Sequence, residues 1–384
     1  MSSINPLAGP VRNRLLGIEK GLQTCFLERE PLIRGLILGA ISGQHVFVLG
    51  PPGTAKTHIL KSFTSCISNA RMFDHLMMPH TIPDELFGPI DVSALRDTPS
   101  RYDRVTTGTM VDSEIVFLDE VWKGNASCLN STLGIMNERV FRMAGRAIPA
   151  SLRMLVAASN EMPQDASLRA LYDRFLMRFV VGPTIDVENF KAIVLADKRP
   201  NPERISQFAQ VTIPELEKAR HEANQLTVGP EVVNAVLSIR EDARLENITA
   251  SDRRWAWSMS IVRAHSWLSG YRTVSPASLS VLVDILWDGE KQRKNLNRIV
   301  AKYAIDPQGD ALRALEDIEA ALAITGGLDP DEAAELAERT NAVLVSLERI
   351  PTIDRGASWK SAIARVQTVN ATLVSAMTRP AANV

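Results

Sequence analysis

Gly50-Pro51-Pro52-Gly53-Thr54-Ala55-Lys56-Thr57 sets two glycines, a lysine and a threonine at the spacing that phosphate recognition requires. A phosphate needs a loop whose backbone N–H groups turn inward and a helix N-terminus whose dipole favours negative charge. Glycine permits the turn, Lys56 can reach the β and γ phosphates of ATP, and the Thr57 hydroxyl can ligate Mg²⁺. Ala55 departs from the strict pattern, which has glycine before the lysine. A methyl group is tolerable there if the backbone sits at negative φ. The plain alternative for the octapeptide is a Gly-Pro turn joining a strand to a helix.

The second feature is Asp119-Glu120, which closes the apolar run Ile115-Val116-Phe117-Leu118. A carboxylate at a strand end beside the loop can hold Mg²⁺ through water, and the next residue can orient and deprotonate an attacking water. Asp119 is therefore assigned to the metal and Glu120 to the base. Asn160, after another apolar run, can fix the same water or the γ-phosphate, although asparagine there is also an ordinary turn residue. Leu171 to Arg178 places Arg174 and Arg178 at helical spacing. An arginine that stabilises transition-state charge can come from a neighbouring subunit; an exposed charge or local ion pair is the alternative.

These residues need a scaffold of strands ending on one side. The runs 45–49, 115–118 and 154–158 are continuously apolar and alternate with helical segments, as in a parallel sheet covered on both faces. Two helices precede the first strand. Residues 93–110 are polar and poorly periodic, as an insertion is, and 139–148 alternate about Ala144-Gly145 like a hairpin. From Pro214 the pattern is helical, around 214–225, 230–242, 252–269 and 276–287, then near 309–325, 331–348 and 357–377. The expected division is an α/β nucleotide-binding core over 1–205, a helical lid over 206–290 and a three-helix unit over 291–384.

With 43 basic and 44 acidic residues, the net charge of −1 supplies no general field to attract nucleic acid. No stretch reaches the roughly 20 apolar residues of a membrane span, and the start lacks a secretory signal, so a cytoplasmic location is expected. Cys25, Cys66 and Cys128 lie too far apart for a metal pattern and read as buried thiols. His58 is grouped with the nucleotide-binding stretch by position, although packing is its ordinary role, as it is for Trp255, Trp257 and Trp267.

Taken in order, the loop, Glu85-Leu86-Phe87-Gly88-Pro89, Phe117 to Lys123, Asn137-Glu138-Arg139, Ala157 to Glu161, Leu171 to Arg174 and Ser251 to Trp255 resemble the AAA+ ATPases. Within them the pattern is similar to the MoxR group and its RavA-type proteins, in which alanine at position 55 is a family feature. The resemblance runs from about Leu15 to Trp287 and implies a hexameric ring with Mg-ATP bound between subunits. It implies Asn160 as a sensor, Arg174 as the finger reaching a neighbour's γ-phosphate, and Arg253 as the sensor arginine of the lid, with Arg178 and Arg254 as fallbacks. It also places an insertion of the second helix at 93–110 and a hairpin at 140–148, both facing the pore or a partner. The RavA-type β-rich partner-binding module has no counterpart in the helical C-terminus. The resemblance implies a protein-remodelling chaperone or assembly factor with a von Willebrand A domain partner. A nucleic-acid motor is the competing class, for which Arg101, Arg104, Arg139, Arg142 and Arg146 are the candidate contacts.

Overall fold

The computed structural model describes residues 10–97, 103–143, 146–195, 210–305, parts of 311–322, 330–348 and 357–377. Two helices come first, α1 (Pro10–Cys25) and α2 (Glu30–Ser42). Pro31 opens α2, and Gly43, left-handed at φ 72°, ends it by donating its N–H to the Gly39 carbonyl. The strands in chain order are β1 (His45–Leu49), β2 (Ile67–Ser68), β3 (Met72–Leu76), β4 (Ile115–Asp119), β5 (Val140–Met143), β6 (Arg146–Pro149), β7 (Met154–Ser159), β8 (Phe175–Val180) and β9 (Val211–Thr212). Five of them form one parallel sheet in the order β3-β4-β7-β1-β8.

Period-two geometry explains why the strands read as uninterrupted apolar runs. Val46, Val48, Ile115, Phe117, Val156 and Ala158 enter the core on one face, with α1, α2 and the later helices. Phe47, Leu49, Val116, Leu118, Leu155 and Ala157 enter a second core on the other, with residues of helix α6 (Ala126–Glu138). The architecture is thus a three-layer α/β fold with a helical extension.

Two strands of the five-stranded sheet escaped the sequence reading, as did the short parallel pair β2 and β9. β3 is an edge strand and only partly buried. β8 lies where helical spacing of Arg174 and Arg178 was expected; helix α7 (Arg169–Tyr172) stops before Arg174, and Arg178 sits in the strand. A short, fully buried apolar run carries no period that separates helix from strand, and here the parallel ladder to β1 prevails. The expected hairpin is present as antiparallel β5 and β6, with residues 144–145 outside the described part. Helix α4 (Pro83–Phe87) leads into the 93–110 stretch, where a short helix, α5 (Val92–Asp97), and an isolated bridge between Ile90 and Arg104 are described, while 98–102 lie outside.

Beyond the sheet, a capping box between Thr212 and Glu215 starts the helix Ile213–Asn224, followed by Pro230–Leu245 and Asp252–Ser269. Residues Pro276–Asp284 follow a 3₁₀ path where an α-helix over 276–287 was expected. Ser275 accepts a hydrogen bond from the Ala277 N–H at its start, and Leu279 and Leu282 are buried. Helix Glu290–Ala301 buries Leu296, Ile299 and Val300 in the first core. The C-terminal helices Pro330–Glu348 and Ala357–Met377 share a separate core with Ala311, Leu315 and Ile318.

Candidate active site

The phosphate loop follows β1 and opens helix α3 (Lys56–Ser65). Gly50 donates its N–H to the Ser159 carbonyl at 2.9 Å, and a Cβ on Gly50 would stand 2.1 Å from the Val181 carbonyl oxygen, so only glycine fits. Ala55 adopts φ 65°, ψ 16°, a left-handed conformation, contrary to the expected negative φ. The backbone therefore keeps the glycine-like turn of the motif and the alanine bears the strain. Thr54 Oγ1 donates to the Pro51 carbonyl at 2.9 Å, while buried Arg29 braces the outer side through the Thr54 and Gly182 carbonyls. Pro51, Pro52 and Gly53 are exposed.

Lys56 Nζ donates to the Gly50 and Pro51 carbonyls at 2.7 and 2.9 Å. Partial burial lowers its pKa, and the negative charges of Asp119 and Glu120 oppose that shift. Thr57 Oγ1 lies 3.4 Å from Asp119 Oδ2, so the two residues assigned to Mg²⁺ face each other. β7 lies between β4 and β1, which puts exposed Asn160 at a strand end between the acid pair and the loop. Glu120 is left-handed at φ 50°, ψ 42°, and its Oε2 is buried without a hydrogen bond, with Lys123 Nζ 3.4 Å away. Strain of this kind, commonly about 1–3 kcal/mol, clusters at functional sites. The loop, Lys56, Thr57, Asp119, Glu120 and Asn160 thus gather at one end of the sheet.

Arg174 does not join them. It immediately precedes Phe175, which pairs with His45 at the start of β1, whereas the loop begins beyond Leu49, paired with Val180. At about 3.3 Å per residue, Arg174 lies roughly 20 Å along the sheet from its own loop. Its side chain is 14% exposed, its Nε has no hydrogen bond, and Asp173 Oδ2 is 3.9 Å away. Burial lowers its pKa, and the nearby positive charge of Arg253 lowers it further. Arg253 is exposed, its guanidinium 5.5 Å from the Trp257 ring, and its segment meets that of Arg174 where Ser251 Oγ donates to Asp173 Oδ2 at 3.4 Å. Their alternatives Arg178 and Arg254 are 0% and 1% exposed and bonded to carbonyls and to Asp288.

The arginines considered for nucleic acid are engaged. Arg139 is left-handed at the end of α6 and donates to the Gly43 and Met136 carbonyls. Arg104 pairs with Asp84, Arg142 with Glu138 and Arg146 with Asp103; Arg101 lies outside the described residues.

A feature the sequence did not disclose is a cavity of about 890 Å³ on the outer side of the loop. Its walls include Thr24 at the end of α1, Phe26 in the turn that follows, Pro52 and Ala55, and Phe190 and Ile193 of helix α8 (Val187–Leu195). His58 packs edge-on against Phe26, ring centroids 5.1 Å apart, and lines the same cavity. Val187, Phe190, Val194 and Leu195 are exposed, so α8 presents apolar surface unusual for a helix of this size. Apolar spacing over 187–195 was the available signal.

Residues 13–221 match the model of the MoxR domain in the MoxR–vWA–β-propeller ternary systems, and residues 231–300 match an AAA lid domain. The chain belongs to the MoxR group of AAA+ ATPases. It is 34% identical over 278 residues to the uncharacterized protein MJ0079 of Methanocaldococcus jannaschii, covering 72% of this chain and 71% of that protein. It is 25% identical over 159 residues to the chaperone MoxR1 of Mycobacterium tuberculosis, 40% of either chain. A solved structure from Cytophaga hutchinsonii, provisionally assigned as an ATPase, superposes with a TM-score of 0.60 at 19% identity, over 76% of this chain and 94% of that one. That likeness concerns the AAA+ fold alone. Among the described residues of this MoxR-group chain no helix is long and apolar enough to cross a membrane, and no strand follows Thr212.

Proposed function

We propose that this MoxR-group protein hydrolyses Mg-ATP at sites shared between neighbouring subunits of a ring, and that it acts as a protein-remodelling chaperone or assembly factor. One observation carries the proposal: Arg174 lies at the end of the sheet away from its own phosphate loop, and the bond from Ser251 to Asp173 ties the start of the Arg253 helix to that end. The two arginines reach a γ-phosphate only if it belongs to a second copy, and head-to-tail contacts of that kind close into rings. A hexamer is the expected closure for the family.

The loop amides and Lys56 would hold the β and γ phosphates. The adenine end suits the cavity between Phe26, His58, Phe190 and Ile193. Thr57 and Asp119 present oxygen donors suited to Mg²⁺, which would neutralise phosphate charge. Glu120, whose Oε2 accepts no hydrogen bond, would take a proton from the attacking water, with Asn160 aligning that water. The neighbour's Arg174 would stabilise the charge that develops on the transferred phosphoryl group.

A von Willebrand A domain protein is the partner we propose, because the matched family model is defined by systems that contain one. The chaperone name of MoxR1 supports remodelling, and the pairing of the described candidate arginines disfavours a nucleic-acid motor. The same proposal divides the chain into a core over 1–205, a lid from 206 and a C-terminal helical unit. Helix Glu290–Ala301 is counted with the lid, whose core it joins. ATP turnover of Lys56→Ala, Glu120→Gln and Arg174→Ala tests the chemistry. Each is expected to be strongly impaired, and wild-type turnover in all three would overturn it.

A further inference from the structure

Arg178 and Arg254 are among the largest fully buried side chains in the molecule, and they come from different layers. Arg178 belongs to β8 of the sheet and Arg254 to the lid helix Asp252–Ser269. Both donate to the same oxygen, Asp288 Oδ1, at 2.7 and 2.8 Å. Asp288 lies in the short connection before helix Glu290–Ala301, its side chain 58% exposed. Further bonds reinforce the junction. Arg178 donates to the Trp287 and Tyr172 carbonyls, Arg254 to the Ile285 carbonyl, and the Tyr172 hydroxyl to the Asp288 carbonyl. The Arg178 guanidinium also stacks 3.5 Å from the centre of the Tyr172 ring.

Two guanidiniums buried side by side repel each other, and Asp288 is the carboxylate bonded to both. Arg174 lies four residues before Arg178, and Arg253 is the residue before Arg254. We propose that Asp288 is a positioning residue: by joining β8 to the lid helix it holds Arg174 and Arg253 side by side, facing the nucleotide of the next subunit. The proposal rests on the shared site described above. It assigns Asp288 no contact with nucleotide; its bonded partners are Arg178, Arg254, Tyr172 and Gln292, none of them in the phosphate loop.

Asp288→Asn removes the charge and keeps the shape. In the full-length protein, ATP affinity is expected to stay within about twofold of wild type while turnover falls by roughly tenfold or more. Asp288→Glu, which retains the charge, should recover most of the lost turnover. Wild-type turnover in Asp288→Asn, or a loss of affinity as large as the loss of turnover, would overturn the role. Should Asp288→Asn not fold, Tyr172→Phe removes a single hydroxyl from the same junction, and the same split at smaller size is expected; an unchanged rate there overturns the role equally. Arg174→Ala, measured alongside, separates the two levels. If that variant keeps wild-type turnover the shared site itself is refuted, whereas an impaired Arg174→Ala with a fully active Asp288→Asn refutes only the part given to Asp288.

Discussion

Replacing Ala55 by glycine tests the conformation of the phosphate loop at the residue where it departs from the common motif. Ala55 stands at φ 65° with its side chain exposed, so its methyl group gains nothing from packing. For an L-residue the left-handed region costs about 1–2 kcal/mol. Glycine escapes that cost but gives back about 0.4–1 kcal/mol through its greater freedom in the unfolded chain. The net expectation is that Ala55→Gly stabilises the core by about 0.5–1 kcal/mol, a rise of about 1–4 °C in its unfolding midpoint. ATP affinity should not weaken, because Ile59 still donates to the residue 55 carbonyl and helix α3 keeps its start. Ala55→Val, which adds a β-branch to the same backbone, should cost more than alanine does. Urea or thermal unfolding of the three proteins, with ATP binding in parallel, reads these differences. Destabilisation of 1 kcal/mol or more in Ala55→Gly would refute the left-handed assignment.

Glu120→Gln should bind ATP as wild type does and lose about 10²–10⁴-fold in turnover, measured by phosphate release under saturating ATP. Gly50→Ala should abolish ATP binding in a calorimetric titration, because its Cβ meets the Val181 carbonyl oxygen at 2.1 Å, and neither side can yield freely: Val181 donates its N–H to the Leu49 carbonyl and Gly50 donates its own to Ser159. Burial pushes the pKa of His45 down to about 3, helped by Arg139, and that of His265 down to about 3, helped by Arg34. Both are neutral in the fold, so their stabilisation is complete above the ordinary value near 6.5 and declines as pH falls from there toward 3. Each contributes up to about 1.4 kcal/mol per pH unit, and unfolding curves between pH 7 and 4.5 should show His45→Gln losing about half of the slope that the two histidines supply together.

The site was more legible than the scaffold around it. Asp119, Glu120 and Asn160 are polar residues at the ends of apolar runs, Lys56 and Thr57 belong to the phosphate motif, and the strand order brings the two sets together. Ala55 was legible as an exception but not in its sign of φ, because neighbouring glycines do not reveal which of them carries the turn. β8 was hidden by two arginines four apart, a helical interval that a strand also contains. Only the burial of Arg178 against Asp288 explains a charged residue in the middle of that strand. Phe26, Phe190 and Ile193 resemble core residues in sequence, and the cavity they line depends on how α8 returns over the loop. The cationic pair of Arg174 and Arg253 joins residues about eighty positions apart, which no local pattern encodes.

If one active site draws on two copies of the chain, subunits with complementary lesions must restore one another when mixed. Lys56→Ala has a disabled phosphate loop and an intact Arg174; Arg174→Ala has the reverse. Each alone should be nearly inactive. In equimolar mixed rings about a quarter of the head-to-tail interfaces pair an intact loop with an intact arginine, so turnover should rise to about that fraction of wild type. A mixture no more active than its two components would contradict the shared site.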